Sequence, residues 1–269
     1  MANSTHTIEV DGSIVRKHYR SWERGEPDRE WTTLTLLAAH APGLSPLPLR
    51  RTTEAPGLEM TRVPGEPLLA ARGATAIGAL SLAIRRLHSA IPRRILDELP
   101  LRIGHAGEMH DLLRDRFAVP RPMPDPDVRR AVEDGRTWLA SRAPALLATA
   151  DALPVFGHGD PNLANYHWDG ERVRVLDFEE AGRSDLAYEL ADAVEHLAGR
   201  THGDLDEPAL LAEFDLTSVE RARLHEARRL LSLFWLDMLL PGRPAHSRNP
   251  PGTLEAQAAR VLALFDAES

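Results

Sequence analysis

A predicted hairpin in the second half of this sequence constrains the fold more than any other feature. Residues 166–168 and 172–178 read as two short strands that flank the pair Asp169-Gly170. Asp-Gly is favoured in the tight turns that join antiparallel strands. Asn165 enters this hairpin and Asp177 leaves it, so both residues are expected at the same end. The sequence therefore predicts that an amide oxygen and a carboxylate meet there.

The residues at this end of the hairpin suit phosphoryl-transfer chemistry. Magnesium takes oxygen ligands and usually accepts one or two from protein, which an Asn amide and an Asp carboxylate can supply. Asp160 lies five residues before Asn165 in a predicted loop, where it can accept a proton from an attacking hydroxyl, and His158 is expected to brace that loop. Each residue alone is typical of a turn or cap, so the prediction of a phosphotransferase site rests on their conjunction.

The N-terminal region contains the one lysine of the chain. Of 32 basic residues, 31 are Arg and the remaining one is Lys17. A flexible ammonium differs from a planar guanidinium, so a lysine in such an arginine-rich chain is expected to have a specific task. Residues 7–10 and Ile14–Tyr19 are predicted to form a hairpin around Asp11-Gly12. Alternation along the second strand places three side chains on one face, namely Val15, Lys17 and Tyr19.

A helix is predicted from about Asp28 to His40, with Asp28 as its N-cap. Glu30 shares one face of this helix with Leu34 and Leu37. A carboxylate on an apolar face needs a partner because unpaired burial is costly, and the strand that carries the lysine offers one. The alternative, that Glu30 is a first-turn acid favoured by the helix dipole, fits the spacing equally well.

Loops rich in proline and glycine separate the predicted elements in the rest of the chain. After a loop region at 41–56, residues 57–63 read as a strand that ends at Pro64-Gly65. A hinge is expected there between an N-terminal lobe, residues 1–63, and a C-terminal lobe, residues 64–269. The C-terminal lobe is predicted to be mostly helical, with the hairpin described above as its one sheet element. From residue 74 onward, a buried helical stripe is predicted at Ile77, Leu80, Leu82, Ile84 and Leu87.

Composition narrows the class of protein. The chain has no Cys, which excludes disulfides and thiolate metal sites and makes a reducing cytoplasm the simplest location. The N-terminus lacks the order of a signal peptide. A formal net charge of -8 argues against a nucleic-acid partner. The apolar window 230–240 is too short to cross a bilayer and contains Asp237, so it is predicted to be a buried helix.

Residues 177–215 are strongly acidic. They contain twelve Asp and Glu against two Arg, a local charge of 2 - 12 = -10. Such a segment can attract a cationic ligand. The alternative, a solvated acidic helix face, is equally consistent with the composition.

With these motifs in place, the chain resembles the aminoglycoside phosphotransferase family, small-molecule relatives of the eukaryotic-type protein kinases. The resemblance extends from Val15 to about Leu197. It implies an α+β, protein-kinase-like two-lobed fold, with a small β-rich N-terminal lobe and a larger, mainly helical C-terminal lobe. It also implies ATP and Mg²⁺ as cofactors, Asp160 as catalytic base, and Asn165 and Asp177 as magnesium ligands. Asp177 opens the sequence Asp-Phe-Glu, where kinases carry Asp-Phe-Gly.

The resemblance assigns further residues to ligands. Lys17 and Glu30 resemble the ion pair that contacts nucleotide phosphates, and residues 60–63 resemble the adenine hinge. In that hinge, the Thr61 carbonyl and the Val63 amide are the expected backbone contacts. The residues expected to bind the nucleotide are Lys17, Glu30, Val15, Met60, Thr61 and Val63. The acids expected to face the substrate are Glu180, Asp185 and Glu189.

The glycine content of the N-terminal lobe departs from the kinase pattern. Kinase-like folds place a glycine-rich loop over the phosphates ahead of the lysine strand, yet Gly12 is the only glycine before Lys17. The first strand and this lid are therefore expected to be reduced or missing, which bears on how water is kept from the phosphates.

These features predict an ATP-dependent phosphotransferase that acts on a hydroxyl of a small cationic molecule, such as an aminoglycoside, in antibiotic resistance or self-protection. A kinase of choline or an amino-sugar stays open because fold does not fix substrate. So does a nucleotide-binding pseudokinase. A protein kinase is less favoured because no activation segment is recognisable between Glu179 and Ser184. The expected partner is a small molecule, without nucleic acid or membrane, and the oligomeric state is left open.

Overall fold

The computed structural model describes residues 6–121, 123, 125–141, 147, 152–200, 205–243 and 245–267. The chain forms two compact units. The first unit comprises Met1–Ile103, Pro154–Asp185 and Asp204–Glu213, and the second comprises Gly104–Leu153, Leu186–Gly203 and Phe214–Ser269. The α+β prediction is confirmed, whereas the lobe boundary between residues 63 and 64 stays a prediction.

The first unit contains a four-stranded antiparallel sheet in the order β1-β2-β4-β3. Its strands are β1 (His6–Asp11), β2 (Ile14–Tyr19), β3 (Pro48–Arg51) and β4 (Gly57–Thr61). The predicted first hairpin is confirmed, but Asp11 pairs with Ile14, so the two-residue turn is Gly12-Ser13 and not Asp11-Gly12. Gly12 has a φ of 57°, which glycine adopts without strain. In the described residues, one strand of six residues and a turn with one glycine precede the lysine strand.

Helix α1 (Glu26–His40) packs on this sheet. The face that carries Glu30, Leu34 and Leu37 is buried, as predicted. The prediction of Asp28 as N-cap is wrong, because the helix begins two residues earlier and Gly25 is the cap. Proline in the first turn favours this earlier start because its φ is already helical.

The second predicted hairpin is also confirmed, but its second strand covers Val173–Val175 and not 172–178, and residues 169–172 join the two strands. Strand β7 (Tyr166–Trp168) pairs antiparallel with β8 (Val173–Val175), in a register that places Tyr166 opposite Val175. The prediction that this hairpin is the one sheet element after residue 63 is wrong. Three further strands are β5 (Glu66–Pro67), which pairs with β7, and β6 (Pro154–Gly157), which pairs with β9 (Gly182–Asp185). Strands of two to four residues are too short to show an alternating pattern.

The first unit also contains helices α2 (Ala74–His88), α3 (Arg93–Leu96) and α8 (Glu207–Ala212). Four members of the predicted α2 stripe are buried, namely Ile77, Leu80, Ile84 and Leu87. The fifth, Leu82, is 54% exposed. It lies outside the three- and four-residue spacing of the others and so projects from the opposite face.

In its described residues, the regular secondary structure of the second unit consists of helices. Its helices are α4 (Ala106–Phe117), α5 (Pro126–Leu139), α6 (Leu186–Glu195), α7 (Leu197–Arg200), α9 (Ser218–Leu239) and α10 (Thr253–Asp266). Helix α9 packs against α4, α6 and α10, and its C-terminal half is the buried helix predicted from the apolar window. Among the described residues, none of the helices has both the length and the apolar character needed to cross a bilayer.

Candidate active site

The loop after β6 carries the predicted catalytic base, and His158 braces it. The His158 side chain is 2% exposed, and its Nε2 donates to the Leu176 carbonyl at 2.7 Å. Its Nδ1 is then the acceptor for the backbone amide of Asp160, at 3.1 Å. These two bonds fix the neutral imidazole in one tautomer. The predicted bracing role of His158 is confirmed.

Asp160 and Asn165 are directly bonded. The Asn165 Nδ2 donates to the Asp160 carboxylate (Oδ2) at 3.0 Å and to the Asp160 carbonyl at 3.1 Å. The backbone amide of Asn162 donates to the other carboxylate oxygen at 3.3 Å. Because its amide nitrogen is used in this way, Asn165 presents Oδ1 as its acceptor for a cation.

The hairpin brings Asn165 and Asp177 to one end, as predicted. The backbone amide of Leu176, next to Asp177, donates to the Asn165 carbonyl at 2.9 Å. Asp177 has a φ of 66°, the left-handed region that Asp and Asn tolerate better than most side chains. Phe178 is fully buried with its ring 5.0 Å from that of His158. This packing anchors the turn that presents the Asp177 carboxylate.

Lys17 forms the predicted ion pair with Glu30 and lies in a larger cluster. Its side chain is 3% exposed, and Nζ lies 2.6 Å from the Glu30 carboxylate, 2.5 Å from that of Asp177 and 3.2 Å from that of Glu179. The hydroxyl of Tyr19 also donates to Glu30. The ion pair is confirmed, so Glu30 is more than a first-turn acid, and the predicted role of the pair in nucleotide binding stays a prediction.

The lysine cluster carries an excess of negative charge, since one ammonium faces three carboxylates. Burial raises the pKa of Asp177, and the charges of Glu30 and Glu179 add to the effect that Lys17 opposes. Burial alone would lower the pKa of Lys17, but the three carboxylates outweigh it and raise that pKa above its usual value. This excess and the hard oxygen donors of Asp177 and Asn165 fit a divalent cation such as Mg²⁺.

Sequence reasoning missed two members of the lysine cluster. Glu179 belongs to the acidic run proposed to attract a cationic ligand, yet its carboxylate lies against Lys17 and 3.0 Å from the Nδ1 of His6. The His6 Nε2 lies 4.0 Å from Asp177. Glu179 and Asp177 are two residues apart, a spacing that could have indicated a shared side. No comparable spacing in the sequence links His6 to these acids, because the position of His6 follows from the pairing of β1 with β2.

The predicted adenine-binding residues lie around strand β4. Val15 pairs directly with Met60, so both share a sheet face with Lys17. Thr61 ends the strand, where its backbone amide donates to the Leu47 carbonyl at 2.9 Å. Val63 follows two residues later and is 8% exposed. Their contact with a nucleotide stays a prediction.

The three predicted substrate acids have different surroundings. Glu180 lies close enough to Asp160 for the two charges to interact. Asp185 ends strand β9, opposite Pro154. Glu189 lies in α6 of the second unit and is only 6% exposed. Glu180 and Asp160 therefore lie in the same region of the first unit, and the contact of these three acids with a substrate stays a prediction.

The protonation of Glu180 is expected to change near neutral pH. Burial and then the charge of Asp160 raise the pKa of Glu180 to about 7, against the opposing charges of Arg102 and Arg24. Its folded-state pKa exceeds the unfolded value, so this group lowers stability as pH rises from about 4.5 to about 7.

Glu180→Gln removes this titration, so its Tm relative to the parent is expected to be higher at pH 8 than at pH 5. Thermal unfolding of both proteins at the two pH values checks the prediction, because other titrating groups affect both proteins equally. Parallel profiles of Tm against pH would contradict it.

The model of the phosphotransferase enzyme family matches residues 3–231 of this chain. A search of curated proteins gives no match.

Solved structures share the fold. A choline/ethanolamine kinase family protein from Mesorhizobium loti has 19% identity and a TM-score of 0.66, covering 98% of this chain and 86% of that chain. A thermostable mutant of aminoglycoside phosphotransferase APH(4)-Ia has 15% identity and a TM-score of 0.62, covering 99% of this chain and 95% of that chain. Choline kinase LicA from Streptococcus pneumoniae has 12% identity and a TM-score of 0.61, covering 99% and 90%. These likenesses confirm the predicted kinase-like fold.

Proposed function

Because this chain belongs to the phosphotransferase enzyme family, we propose that it transfers the terminal phosphate of ATP to a hydroxyl of a small cationic molecule. The observation that carries the proposal is the convergence, in one compact unit, of a lysine, a candidate base and two candidate metal ligands. Asp160 is bonded to Asn165, and Lys17 is bonded to Asp177. The backbone bond from Leu176 to Asn165 joins the two pairs.

Each residue has a distinct task in the proposed reaction. Lys17 neutralises negative charge on the nucleotide phosphates. Glu30 holds its ammonium in place, and the Tyr19 hydroxyl holds the Glu30 carboxylate. Asp160 accepts the hydrogen bond of the acceptor hydroxyl and orients its oxygen for in-line attack on the terminal phosphate. Its second carboxylate oxygen stays fixed by the amide of Asn165. Catalysis by this arrangement is positioning and electrostatics, without a covalent enzyme intermediate.

Asn165 and Asp177 would hold Mg²⁺ through the amide oxygen and the carboxylate. When bound, the ion supplies positive charge at the phosphate oxygens. The excess of negative charge around Lys17 supports this assignment, because a cation there would offset the mutual repulsion of Asp177 and Glu179.

The acceptor is proposed to carry protonated amines. Glu180 places a carboxylate near Asp160, and a carboxylate recognises an ammonium N–H group through charge-assisted hydrogen bonds. An aminoglycoside has such groups, whereas choline has a quaternary ammonium without N–H donors, which proteins bind mainly through aromatic faces. Structural neighbours include kinases of both kinds, so a choline-type acceptor is the second candidate.

A panel assay tests the function. Transfer of radiolabelled phosphate from ATP is measured against aminoglycosides, other amine-bearing antibiotics, choline, ethanolamine and amino-sugars. Transfer to a primary amine-bearing alcohol is the expected result. Transfer to choline alone would move the assignment to the second candidate. Nucleotide binding without transfer to any member, and without ATP consumption, would instead support a pseudokinase.

Asp160→Asn is expected to lower kcat about 100-fold with little change in the KM for ATP. The loss is moderate because positioning and charge, more than proton removal, lower the barrier in phosphoryl transfer. Steady-state kinetics on the best acceptor of the panel check this prediction. Glu171→Gln is the matched control, since Glu171 is an exposed acid of the same hairpin. Near-parental turnover by Asp160→Asn would remove Asp160 from the role of base.

A further inference from the structure

The buried guanidinium of Arg102 lies between the catalytic loop and the segment that carries Glu180. Arg102 is 3% exposed, and one terminal nitrogen donates to the Gly159 carbonyl at 3.0 Å. Its Nε donates to the Ile103 carbonyl at 3.0 Å. Burying a charge is costly unless it is paired and hydrogen-bonded. The first of these contacts holds the buried charge against the peptide group that joins Gly159 to Asp160.

Backbone hydrogen bonds between residues 100–103 and residues 180–183 fix the position of the Arg102 backbone. The Arg102 amide donates to the Arg183 carbonyl at 3.0 Å, and the Ile103 amide donates to the Glu180 carbonyl at 3.1 Å. The Arg183 amide in turn donates to the Pro100 carbonyl at 2.9 Å. The segment at 100–103 is therefore held against both ends of residues 180–183. The guanidinium extends from this segment to the catalytic loop.

Gly159 and Glu180 are in direct contact. Gly159 has a φ of 93°, and a Cβ atom there would lie 2.6 Å from the Glu180 carbonyl oxygen. The loop and the Glu180 backbone are thus in van der Waals contact at Gly159. Arg102 is hydrogen-bonded to the carbonyl of this same glycine. After burial, the charges of Asp160 and Arg102 have the largest effects on the pKa of Glu180, and they act in opposite directions. Arg102 therefore offsets the repulsion between the two carboxylates.

We propose that Arg102 is a positioning residue of the phosphotransfer site, which fixes the Gly159 carbonyl and with it the place of Asp160 beside Glu180. This inference rests on the proposed function, in which Asp160 orients the acceptor hydroxyl and Glu180 faces the acceptor's cation. Lysine at position 102 would keep the charge without the planar fork of donors. Methionine would fill a similar volume without charge or donors.

Kinetics of Arg102→Met and Arg102→Lys test the proposal. The assay is phosphate transfer to the best acceptor of the panel. Arg102→Met is expected to lower kcat on the order of 100-fold, because a small misplacement of a catalytic group has effects of this size. Its KM for ATP is expected to stay within about twofold of the parent value, since the lysine cluster does not include Arg102. Arg102→Lys is expected to recover part of the kcat.

Arg223→Met is the matched control. Arg223 is also buried, at 7% exposure, and donates to the Leu147 carbonyl at 2.7 Å within the second unit. It is expected to lower Tm and to leave the kcat of the folded enzyme near the parent value. A parental kcat in folded Arg102→Met, or an equal loss in Arg223→Met, would overturn the proposal.

If Arg102→Met does not fold, the kinetics of Arg102→Lys test the positioning role. A lower kcat with an unchanged KM for ATP supports the positioning role, and an unchanged kcat overturns it. Failure of the proposed function is distinguishable, because it appears in the parent protein as an absence of transfer to any acceptor. An active parent with unaffected Arg102 variants overturns the positioning role alone.

Discussion

Asp177→Asn is expected to lower kcat on the order of 1,000-fold and, at the same time, to stabilise the folded protein at neutral pH. The catalytic loss follows because the variant lacks the carboxylate proposed to hold Mg²⁺ at the phosphates. The gain in stability follows because Asp177 is one of three carboxylates around a single ammonium. Asparagine also tolerates the left-handed backbone of this position.

The sign of the stability effect follows from the pKa. Burial and the neighbouring carboxylates raise the pKa of Asp177 above its unfolded value. The ionised group therefore lowers stability as pH rises through this raised pKa, and the neutral amide removes that loss. A rise in Tm of about 2–4 °C at pH 7, which corresponds to roughly 1 kcal/mol, is the expected size.

Calorimetry and steady-state kinetics on the same preparation check both parts. The Tm difference between variant and parent is expected to shrink at pH 4, where the parent carboxylate is more protonated. A variant that is less stable than the parent at pH 7 would contradict the view that the cluster has surplus negative charge. A variant with near-parental kcat would contradict the metal-ligand assignment.

Lys17→Met is expected to have the opposite effect on stability, with a loss of about 3–5 kcal/mol. Removing one partner of a buried ion pair leaves the other charge uncompensated, and the Glu30 side chain is 1% exposed. The same variant is expected to lose phosphate transfer on the order of 1,000-fold, since it lacks the ammonium proposed to neutralise the nucleotide phosphates. Denaturant unfolding and steady-state kinetics measure the two effects.

The double variant Lys17→Met with Glu30→Gln separates the two effects. Removing one of the three carboxylates that faced Lys17 is expected to restore part of the lost stability without restoring kcat. A double-mutant cycle gives the coupling free energy directly. If Lys17→Met destabilises the parent and the Glu30→Gln variant equally, the lost stability does not come from the uncompensated charge of Glu30.

The contacts at the centre of the candidate site could be predicted because their residues lie close together along the chain or are linked by a hairpin. The Asp-Gly pair indicates the turn at residues 169–172, and the resulting register of β7 and β8 brings Asn165 next to Leu176, the neighbour of Asp177. The pairing of Lys17 with Glu30 could be predicted from two periodicities, the alternation of a strand and the buried face of a helix. Both are local patterns with strong physical causes.

The supporting contacts could not be predicted because they join distant segments without a pattern. Arg102 approaches Gly159 from 57 residues away, and His6 reaches Glu179 from 173 residues away. The strands that flank Gly159 and Glu180, β6 and β9, have only four residues each. The acidic run at 177–215 was also ambiguous, because composition alone could not distinguish Glu179 on the lysine from Glu180 near the base.

The tight contact between Gly159 and Glu180 limits how this protein can evolve. Any side chain at position 159 would push the loop away from its neighbour, so we expect position 159 to stay glycine when the proposed acceptor changes. Diversification must instead come from exchanging side chains, with position 180 the first to vary. Selection of a mutant library on an unfamiliar amino alcohol should therefore leave position 159 unchanged and enrich replacements at position 180.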